Sequence, residues 1–295
     1  ADDLTPVEWE ADPELEWCPP GHGDIYTALL ASGLLDALLD KGYRYAMTSN
    51  SDNLGAAPSA RIAGWFAASG APYAPEMCRR TPADVKGGHL AVRKSDGRII
   101  LRDTAQTPDD QMHFFTDQFR HPFFHTNNLW FDLEVLRDTL TERKGILGLP
   151  LIKNAKTVDP ADASSVPVIQ LETAMGTAVE AFEGATAIEV PRSRFLPVKT
   201  TNDLLLVRSD VYEVDDDGLL QMVPERACTV NLDPRFYKKI QDFEARFPDG
   251  VPSIKDAQSL TVEGDWTFGA DVVATGEAHV EAEGSPGRIA DGTRI

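Results

Sequence analysis

Two polar loops near the start of the sequence hold residue types that could act on a phosphate. The first is Pro-Pro-Gly-His-Gly-Asp (Pro19–Asp24), which contains His22. The second is Ser-Asn-Ser-Asp-Asn-Leu-Gly (Ser49–Gly55), which contains Asp52. A carboxylate can hold a hard cation on phosphate oxygens, and an imidazole can stabilise the phosphate charge. The two loops therefore predict metal-assisted chemistry on a phosphate.

The segment between these loops has to position them. Its apolar residues recur at helical spacing, which predicts one helix over Ile25–Asp40 with a buried face, followed by a short buried strand, Tyr45–Thr48. Asp52 then follows the carboxyl end of a strand, where open α/β sheets bind ligands. The free amides at the helix start could face an anion, which puts His22 beside a phosphate cradle.

Each of these residues also has a structural interpretation. Asp24 fits a helix N-cap better than a ligand, because Asp is favoured at that position. Asp52 lies between two Asn residues and fits a turn as well as a metal ligand. His22 alone would fit a hydrogen-bonded structural group, so the functional hypothesis depends on the joint pattern.

Composition limits the class of protein. A chain of 295 residues can bury a full core and fits one large domain plus a smaller one. Its formal charge of -19 disfavours nucleic acid and anionic membranes as partners. Cys18, Cys78 and Cys228 are dispersed, which suits a reducing cytosol, and no apolar run approaches a membrane span. We therefore expect a cytoplasmic protein with no nucleic-acid or membrane partner.

A few cations gather where acids are scarce. Lys86 lies in Asp-Val-Lys-Gly-Gly, and Lys199 lies in Pro191–Thr201, which contains no acid. Residues of N-cap type follow Lys199 and precede a predicted helix, Asp203–Tyr212. A Lys at a helix N-terminus is unfavourable unless an anion is bound, so Lys199 is predicted to bind phosphate. Two alternatives stay open, a buried strand at Leu204–Val207 and a solvated surface Lys.

The segment Phe123–Trp130 supplies polar groups of another kind. Asn127 and Asn128 offer donors and acceptors that suit sugar hydroxyls, although an Asn-built turn explains them equally well. His125 is interpreted as structural. Glu172 either binds sugar hydroxyls or favours the start of the helix predicted after it.

The remaining pattern alternates helices with short strands such as Ile99–Leu101, which predicts an α/β layered sheet. The other predicted helices are Ala60–Ser69, Pro108–Phe119, Leu133–Glu142, Ala174–Phe182 and Phe236–Phe247. After Leu260, short β-type segments recur about every six residues, which is typical of a hexapeptide β-helix. They are Ser259–Val262, Trp266–Phe268, Val272–Ala274 and His279–Glu281. The pattern changes at about Val223, which predicts one domain over 1–222 and a β-helix domain over 223–295.

Ordered motifs along nearly the whole chain resemble the eukaryotic-type UTP-glucose-1-phosphate uridylyltransferases, also called UDP-glucose pyrophosphorylases. The matching segments are Trp17–Ala31, Ser32–Asp36, Ser49–Ala56, Ala83–Gly88, Thr126–Trp130, Asn154–Asp159, Val168–Thr173 and Val190–Val207. The set is specific, whereas any one segment would be weak. The resemblance implies an α/β, Rossmann-like nucleotidyltransferase core, a mixed sheet flanked by helices, followed by a C-terminal left-handed β-helix.

The resemblance also implies a reaction, in which UTP and glucose 1-phosphate give UDP-glucose and pyrophosphate with Mg²⁺ and without a covalent intermediate. It implies that Lys199 and His22 are catalytic and that Gly21, Asp52 and Lys199 bind the nucleotide. Asp52 would also hold the metal. The residues implied to bind the sugar phosphate are His22, Asn50, Ser51, Asp52, Lys86, Asn127, Asn128 and Glu172.

One motif of the family does not occur in these residues, the Gly-rich nucleotide loop Leu-x-Gly-Gly-x-Gly-Thr. The sequence therefore resembles the later part of such an enzyme, whose activity would depend on an N-terminal portion. Two other hypotheses stay open. One is a non-catalytic module that binds sugar phosphate or assembles into a homo-oligomer through its β-helix. The other is a uridylyltransferase for a different sugar 1-phosphate, such as that of an N-acetylhexosamine.

Overall fold

The computed structural model describes residues 5–81, 84–104, 107–216 and 218–295. The chain forms two compact units. The first consists of the described residues of Ala1–Ser49 and Pro58–Val190, and the second of those of Asn50–Ala57 and Pro191–Ile295. In these described ranges, no helix has both the length and the apolar character needed to cross a membrane.

The first unit is built on a mixed four-stranded sheet. The strands of the whole unit, in chain order, are β1 (Tyr45–Thr48), β2 (Tyr73–Arg79), β3 (His89–Val92), β4 (Ile99–Arg102), β5 (Phe123–Asp132), β6 (Leu151–Thr157), β7 (Pro167–Thr173) and β8 (Ile188–Glu189). The sheet has the order β1-β5-β2-β8, in which β5 is antiparallel to both neighbours and β8 is parallel to β2. Two antiparallel pairs, β3–β4 and β6–β7, complete the unit. The predicted strands at Tyr45–Thr48 and Ile99–Leu101 are confirmed.

The predicted single helix over Ile25–Asp40 is wrong, because two helices occupy this segment. They are α1 (Ile25–Ala31) and α2 (Leu34–Asp40). Gly33 separates them with a φ of +74°, a left-handed conformation that glycine adopts at low cost and that cannot continue a helix. Asp24 occupies the N-cap position of α1, as predicted, but its side chain makes no capping hydrogen bond.

Two other predicted helices, α3 (Ala60–Ser69) and α5 (Leu133–Glu142), are confirmed at the predicted bounds. The helix predicted over Pro108–Phe119 is wrong in extent, because only a 3₁₀ turn, Asp109–Gln111, and α4 (Met112–Phe115) form there. The carboxylate of Asp117 accepts the amides of Phe119 and Arg120, a local turn that competes with the helix. Further 3₁₀ helices of this unit are Pro13–Glu16, His22–Asp24 and Met175–Ala181, the last replacing the α-helix predicted at Ala174–Phe182.

Buried tyrosines tie the core of the first unit to one carbonyl. Tyr26 and Tyr73 are fully buried, and their hydroxyls donate to the carbonyl oxygen of Met175 at 2.9 and 3.1 Å. These bonds fix the start of the 3₁₀ helix Met175–Ala181 against the sheet. The main-chain amide of Met175 is thereby held in place.

The second unit begins its regular structure with a 3₁₀ turn and a capped helix. Its helical elements are the 3₁₀ turn Arg192–Arg194, α6 (Thr201–Arg208), α7 (Pro234–Tyr237) and α8 (Ile240–Arg246). A helix after Lys199 is confirmed as α6, and the alternative of a strand at Leu204–Val207 is wrong. The predicted range Asp203–Tyr212 is wrong at both ends, because α6 begins at Thr201 and ends at Arg208. A capping box explains its start, because the side chain of Thr200 accepts from the amide of Asp203 and the Asp203 carboxylate accepts from that of Thr200. The helix predicted at Phe236–Phe247 is divided between α7 and α8.

The strands of the second unit are β9 (Tyr212–Val214), β10 (Leu220–Met222), β11 (Thr229–Leu232), β12 (Ala257–Val262), β13 (Trp266–Phe268), β14 (Gly276–Val280) and β15 (Gly287–Ile289). β9 and β10 form an antiparallel hairpin, whereas β11, β12 and β14 pair in parallel, as do β13 and β15. Val273 forms parallel bridges to Ser253 and Arg294. The predicted β segments are thus found, with Val272–Ala274 contributing only a bridge. Their inward side chains form one apolar cluster with Leu205 of α6.

Candidate functional site

In the first unit, glycines fit the loop before α1 against the end of β7. The amide of Thr173 donates to the carbonyl of Pro20 at 2.9 Å. Gly21 has a φ of +85°, and a Cβ there would lie 2.5 Å from the carbonyl oxygen of Thr173. Gly23 is buried against the same residue, and a Cβ added to Gly23 would lie 2.8 Å from the Cβ of Thr173. Only a residue without a side chain fits at these positions, so the glycines set the place of His22 between them.

The imidazole of His22 is held in one tautomer. Its Nδ1 accepts from the main-chain amide of Met175 at 2.9 Å, so its proton lies on Nε2. The surrounding protein removes water from the ring and lowers the pKa of His22, while the carboxylate of Glu172 opposes that shift. At neutral pH the ring is therefore neutral and offers an Nε2–H donor.

A second imidazole, His125 on β5, is held in the same way. Its Nδ1 accepts from the main-chain amide of Asn127 at 3.1 Å, which places the proton on Nε2. Its Nε2 is buried and has no hydrogen-bond partner among the described residues. Burial, and then the neighbouring His22, lower the pKa of His125 to about 4. The sequence analysis interpreted His125 as structural and did not identify this buried donor.

Gly176 brings the 3₁₀ helix Met175–Ala181 into contact with β5. A Cβ at this position would lie 2.8 Å from Cε1 of His125 and 3.1 Å from Oδ1 of Asn127. Asn127 has a φ of +65°, a left-handed conformation that Asn tolerates better than most residues. The structure thus gathers His22, His125, Asn127 and Glu172 into one group of side chains.

The loop that holds Lys86 is fixed through its carbonyl groups. The guanidinium of Arg80 donates to the carbonyl oxygens of Val85, at 3.4 Å, and Gly87. The hydroxyl of Thr104 donates to the carbonyl oxygen of Lys86 at 2.7 Å. The carbonyl oxygen of Gly88 accepts from the amide of His125 at 2.7 Å, so the loop adjoins β5. The Lys86 side chain is exposed.

Asn128 has different surroundings from Asn127. It is fully buried, and its side-chain amide donates to the carboxylate of Glu76 at 3.0 Å. The same carboxylate accepts from Trp130 at 2.9 Å, and the hydroxyl of Thr126 donates to the Glu76 carbonyl at 2.8 Å. Asn128 therefore belongs to a buried network that joins β5 to β2. Its contact with a sugar stays a prediction.

In the second unit, the loop Asn50–Ala57 is hydrogen-bonded to the segment that leads to Lys199. The side chain of Asn53 accepts from the amide of Leu196 at 2.8 Å and donates to the carbonyl of Arg194 at 3.1 Å. The amide of Val198 donates to the carbonyl of Asp52 at 2.9 Å. The main chain of Asp52 is thereby bonded to the residue directly before Lys199.

The carboxylate of Asp52 has one oxygen that the protein leaves unsatisfied. Oδ1 is buried and has no hydrogen-bond partner within the described ranges. A buried carboxylate oxygen without a donor is costly, and a bound cation would compensate for it. Mg²⁺ commonly uses one or two protein carboxylates together with substrate phosphates and water, so Asp52 fits such a site. Ser51 and Lys199 nearby in this unit have exposed side chains, and Asn50 is half-buried.

One other group could hold a metal in the part of the chain that the structure describes. It consists of Glu263, His279 and Glu281, all exposed on the second unit. An imidazole is not a preferred ligand of Mg²⁺, and Asp52 does not belong to this group.

A family model described as UTP–glucose-1-phosphate uridylyltransferase matches residues 1–274. The chain belongs to this family. It is 42% identical over 284 residues to the UTP–glucose-1-phosphate uridylyltransferase of Solanum tuberosum, covering 95% of this chain and 57% of the relative. The Saccharomyces cerevisiae relative is 40% identical over 279 residues, covering 93% and 54%.

Solved structures of the family have the same fold. A mutant of UDP-glucose pyrophosphorylase from Leishmania major in complex with UDP-glucose aligns with a TM-score of 0.85 and 45% identity, over 99% of this chain and 64% of that one. A UDP-glucose phosphorylase from Trypanosoma brucei aligns with a TM-score of 0.86 and 44% identity, over 100% and 64%. These matches confirm the predicted mixed α/β fold. The chain spans little more than half the length of the curated relatives and under two thirds of the solved chains.

Proposed function

We propose that the chain takes part in uridylyl transfer between UTP and glucose 1-phosphate, which yields UDP-glucose and pyrophosphate. The observation that carries the proposal is the family match over residues 1–274. In the proposed reaction, a phosphate oxygen of glucose 1-phosphate attacks the α-phosphorus of UTP while the bond to pyrophosphate breaks. Two polyanions must approach each other, so positioning and charge neutralisation dominate the catalysis, and no protein nucleophile takes part.

The first unit is proposed to bind the sugar phosphate. The neutral Nε2–H of His22 donates to a phosphate oxygen, and the main chain at Gly21 approaches the nucleotide closely because it carries no side chain. Glu172 accepts from a sugar hydroxyl, as does the amide oxygen of Asn127. The exposed ammonium of Lys86 adds positive charge beside this group. Asn128 is proposed to act indirectly, by fixing β5.

The second unit is proposed to bind the phosphates and the metal. Asp52 would hold Mg²⁺ through its buried Oδ1, and the bound ion would supply charge neutralisation on phosphate oxygens. Lys199 would neutralise the charge that develops on the transferred phosphoryl group. Asn50 and Ser51 would line the substrate phosphates that this unit binds. The hydrogen bond from the amide of Val198 to the carbonyl of Asp52 fixes the backbone of Asp52 relative to that of the residue before Lys199.

We further propose that residues 223–295 form a left-handed β-helix domain that supports a homo-oligomer. The parallel pairing of β11, β12 and β14, and the bridges through Val273, support this assignment. Sedimentation of the chain tests the oligomer, and a strictly monomeric species would contradict it. The cytoplasm is the proposed location, since the dispersed cysteines Cys18, Cys78 and Cys228 suit a reducing compartment.

Pyrophosphate release from UTP, glucose 1-phosphate and Mg²⁺ tests the transfer. We would assay the chain alone and the chain joined to the residues of the potato relative that it does not cover. We expect release by the joined protein, with a loss of about 100-fold or more in Asp52→Asn and in Lys199→Ala. Asp24→Asn is the matched control, because Asp24 makes no capping bond and should stay near the wild-type rate.

Three outcomes would contradict the proposal or its details. No release by a folded joined protein would reject uridylyl transfer. Equal losses in Asp52→Asn and Asp24→Asn would reject the assignment of the metal to Asp52. Faster release with galactose 1-phosphate or N-acetylglucosamine 1-phosphate than with glucose 1-phosphate would reject glucose as the sugar.

A further inference from the structure

The guanidinium of Arg80 joins two parts of the first unit. Arg80 directly follows β2, and its side chain is half-buried. Its terminal nitrogens donate to the main-chain carbonyl oxygens of Val85 at 3.4 Å, of Gly87, and of Phe115 at 3.1 Å. Arginine carries five donors in a rigid planar fork, so one side chain can serve several carbonyl groups. Two of these carbonyls belong to the residues on either side of Lys86.

The buried surroundings of this guanidinium fix its place. Phe115 is fully buried, and its ring centroid lies 5.6 Å from Cζ of Arg80. Nδ1 of His89, a residue only 2% exposed, lies 3.4 Å from a terminal nitrogen of Arg80. A guanidinium can only donate, so this imidazole nitrogen accepts. Arg80 is thereby anchored to α4 and β3, which lie outside the loop that holds Lys86.

Contacts from outside hold the backbone of this loop, residues 84–88. Lys86 is followed by Gly87 and Gly88, and glycine loses more conformational freedom on folding than any other residue. The hydroxyl of Thr104 donates to the carbonyl oxygen of Lys86 at 2.7 Å, between the two carbonyls that Arg80 holds. A long lysine side chain also loses rotamer freedom when a ligand orders it. A backbone that is fixed before binding lowers the total cost of ordering the ammonium group.

We infer that Arg80 is a positioning residue, which holds the ammonium group of Lys86 where it contacts the phosphate of glucose 1-phosphate. This inference rests on the function proposed above. The remaining nitrogen of the guanidinium, Nε, is buried, so Arg80 acts through the loop and not on a ligand in solvent. A lysine at this position would carry a compact point charge without the planar fork, and it could not serve both loop carbonyls in the same way.

Hydrogen exchange in the chain itself tests whether Arg80 holds the loop. The amide of Gly87 donates to the carbonyl oxygen of Asp84 at 2.9 Å within the loop. We expect this amide to exchange at least about tenfold faster in Arg80→Lys, because the loop opens more often. Arg143→Lys is the matched control, since its guanidinium also donates to two carbonyls, those of Leu147 and Ala181, and neither belongs to the loop. Unchanged exchange at Gly87 in Arg80→Lys overturns the inference, whatever the activity.

Steady-state kinetics of the joined protein tests whether the position of the loop matters for the substrate. Arg80→Lys should raise the KM for glucose 1-phosphate by about fivefold or more and leave the KM for UTP within about twofold. Lys86→Ala should have the same selective effect. In the double variant, Arg80→Lys should add less than about twofold to the effect of Lys86→Ala, because the group that it positions is gone. A merely structural role would raise both KM values and would add to Lys86→Ala.

Thr104→Val keeps the test decisive if Arg80→Lys does not fold. It removes the bond to the carbonyl of Lys86 and should raise the same KM, again with no added effect on Lys86→Ala. An unchanged KM for glucose 1-phosphate, or an effect that adds to that of Lys86→Ala, overturns the inference alone. A folded joined wild type that releases no pyrophosphate overturns the proposed function, and the inference with it.

Discussion

At the scale of single residues, the first unit keeps four of its imidazoles neutral. Burial lowers the pKa of His22 and of His121, that of His125 to about 4 and that of His89 to about 3. His89 also stacks on His121 with ring centroids 3.8 Å apart, an arrangement that disfavours two charged rings. Neutral rings can donate or accept in a fixed tautomer, which suits the recognition of a neutral hydroxyl or an oxyanion.

This neutrality predicts that acid destabilises the folded chain through its histidines. The unfolded chain binds a proton on His125 below its ordinary pKa of 6.5, whereas the folded chain does so only near 4. The free energy of unfolding should therefore fall as the pH drops from 6.5 to about 4, with His125 contributing up to about 3 kcal/mol of the fall. Below pH 4 the contribution of His125 should no longer change with pH. Urea unfolding of wild type and His125→Phe over this range measures the contribution.

The difference in unfolding free energy between the wild type and His125→Phe should change by up to about 3 kcal/mol over this range, because the variant lacks the titrating group. His113→Phe is the control for replacing an exposed imidazole of the same unit by phenylalanine. Parallel curves for His125→Phe would contradict the buried, neutral state of His125.

The sequence predicted His22, Asp52 and Lys199 from their loops, but it did not predict the buried surroundings of His125. The tautomer of His125 depends on the amide of Asn127, and its neighbour Gly176 lies far along the chain. Spacing along the chain does not report such contacts. The sequence likewise did not indicate the positive φ of Asn127, although an Asn-built turn is one of the two interpretations given for this segment.

At the scale of elements, the capping box of α6 sets the start of the segment after Lys199. The Asp203 carboxylate accepts from the main-chain amides of Lys199, at 3.0 Å, and of Thr200, at 2.8 Å. The box therefore fixes the backbone of Lys199 as well as the helix. An intact cap is expected to matter for both stability and phosphate binding.

Thr200→Ala tests this coupling. We expect a loss of about 1 kcal/mol in the free energy of unfolding, because the amide of Asp203 loses its side-chain acceptor. Urea denaturation measures the loss, and pyrophosphate release by the joined protein should fall in parallel. Thr200→Ser retains the hydroxyl and should behave as the wild type; an equal loss in both variants would reject the cap as the cause.

Hydrophobic periodicity correctly predicted the helices that begin at a side-chain N-cap. α3 begins where Ser59 accepts the amide of Ile62, and α5 begins where Asp132 accepts those of the next turn. It failed where one residue interrupts a continuous apolar pattern. The left-handed Gly33 divides one predicted helix, and the turn at Asp117 shortens another.

At the scale of the whole molecule, the family resemblance predicted more than periodicity did. Alternating helices and strands indicated an α/β layer, but the order β1-β5-β2-β8, with β5 antiparallel to both neighbours, depends on pairings that no local pattern encodes. The recurrence after Leu260 indicated β structure, and the structure adds that β12 pairs in parallel with β11 and β14. The activity stays a proposal, because the chain covers 57% of the potato relative.

Binding of UDP-glucose to the joined protein, measured with and without Mg²⁺, tests the central claim most directly. We expect saturable binding that Mg²⁺ strengthens, and an affinity reduced about tenfold or more in Lys199→Ala, which removes a charge-assisted contact to phosphate. Lys153→Ala, at an exposed Lys on β6, is the matched control and should bind as the wild type does. No saturable binding by the folded joined protein, or equal binding by its Lys199→Ala variant and the wild type, would contradict the assignment of this chain to uridylyl transfer.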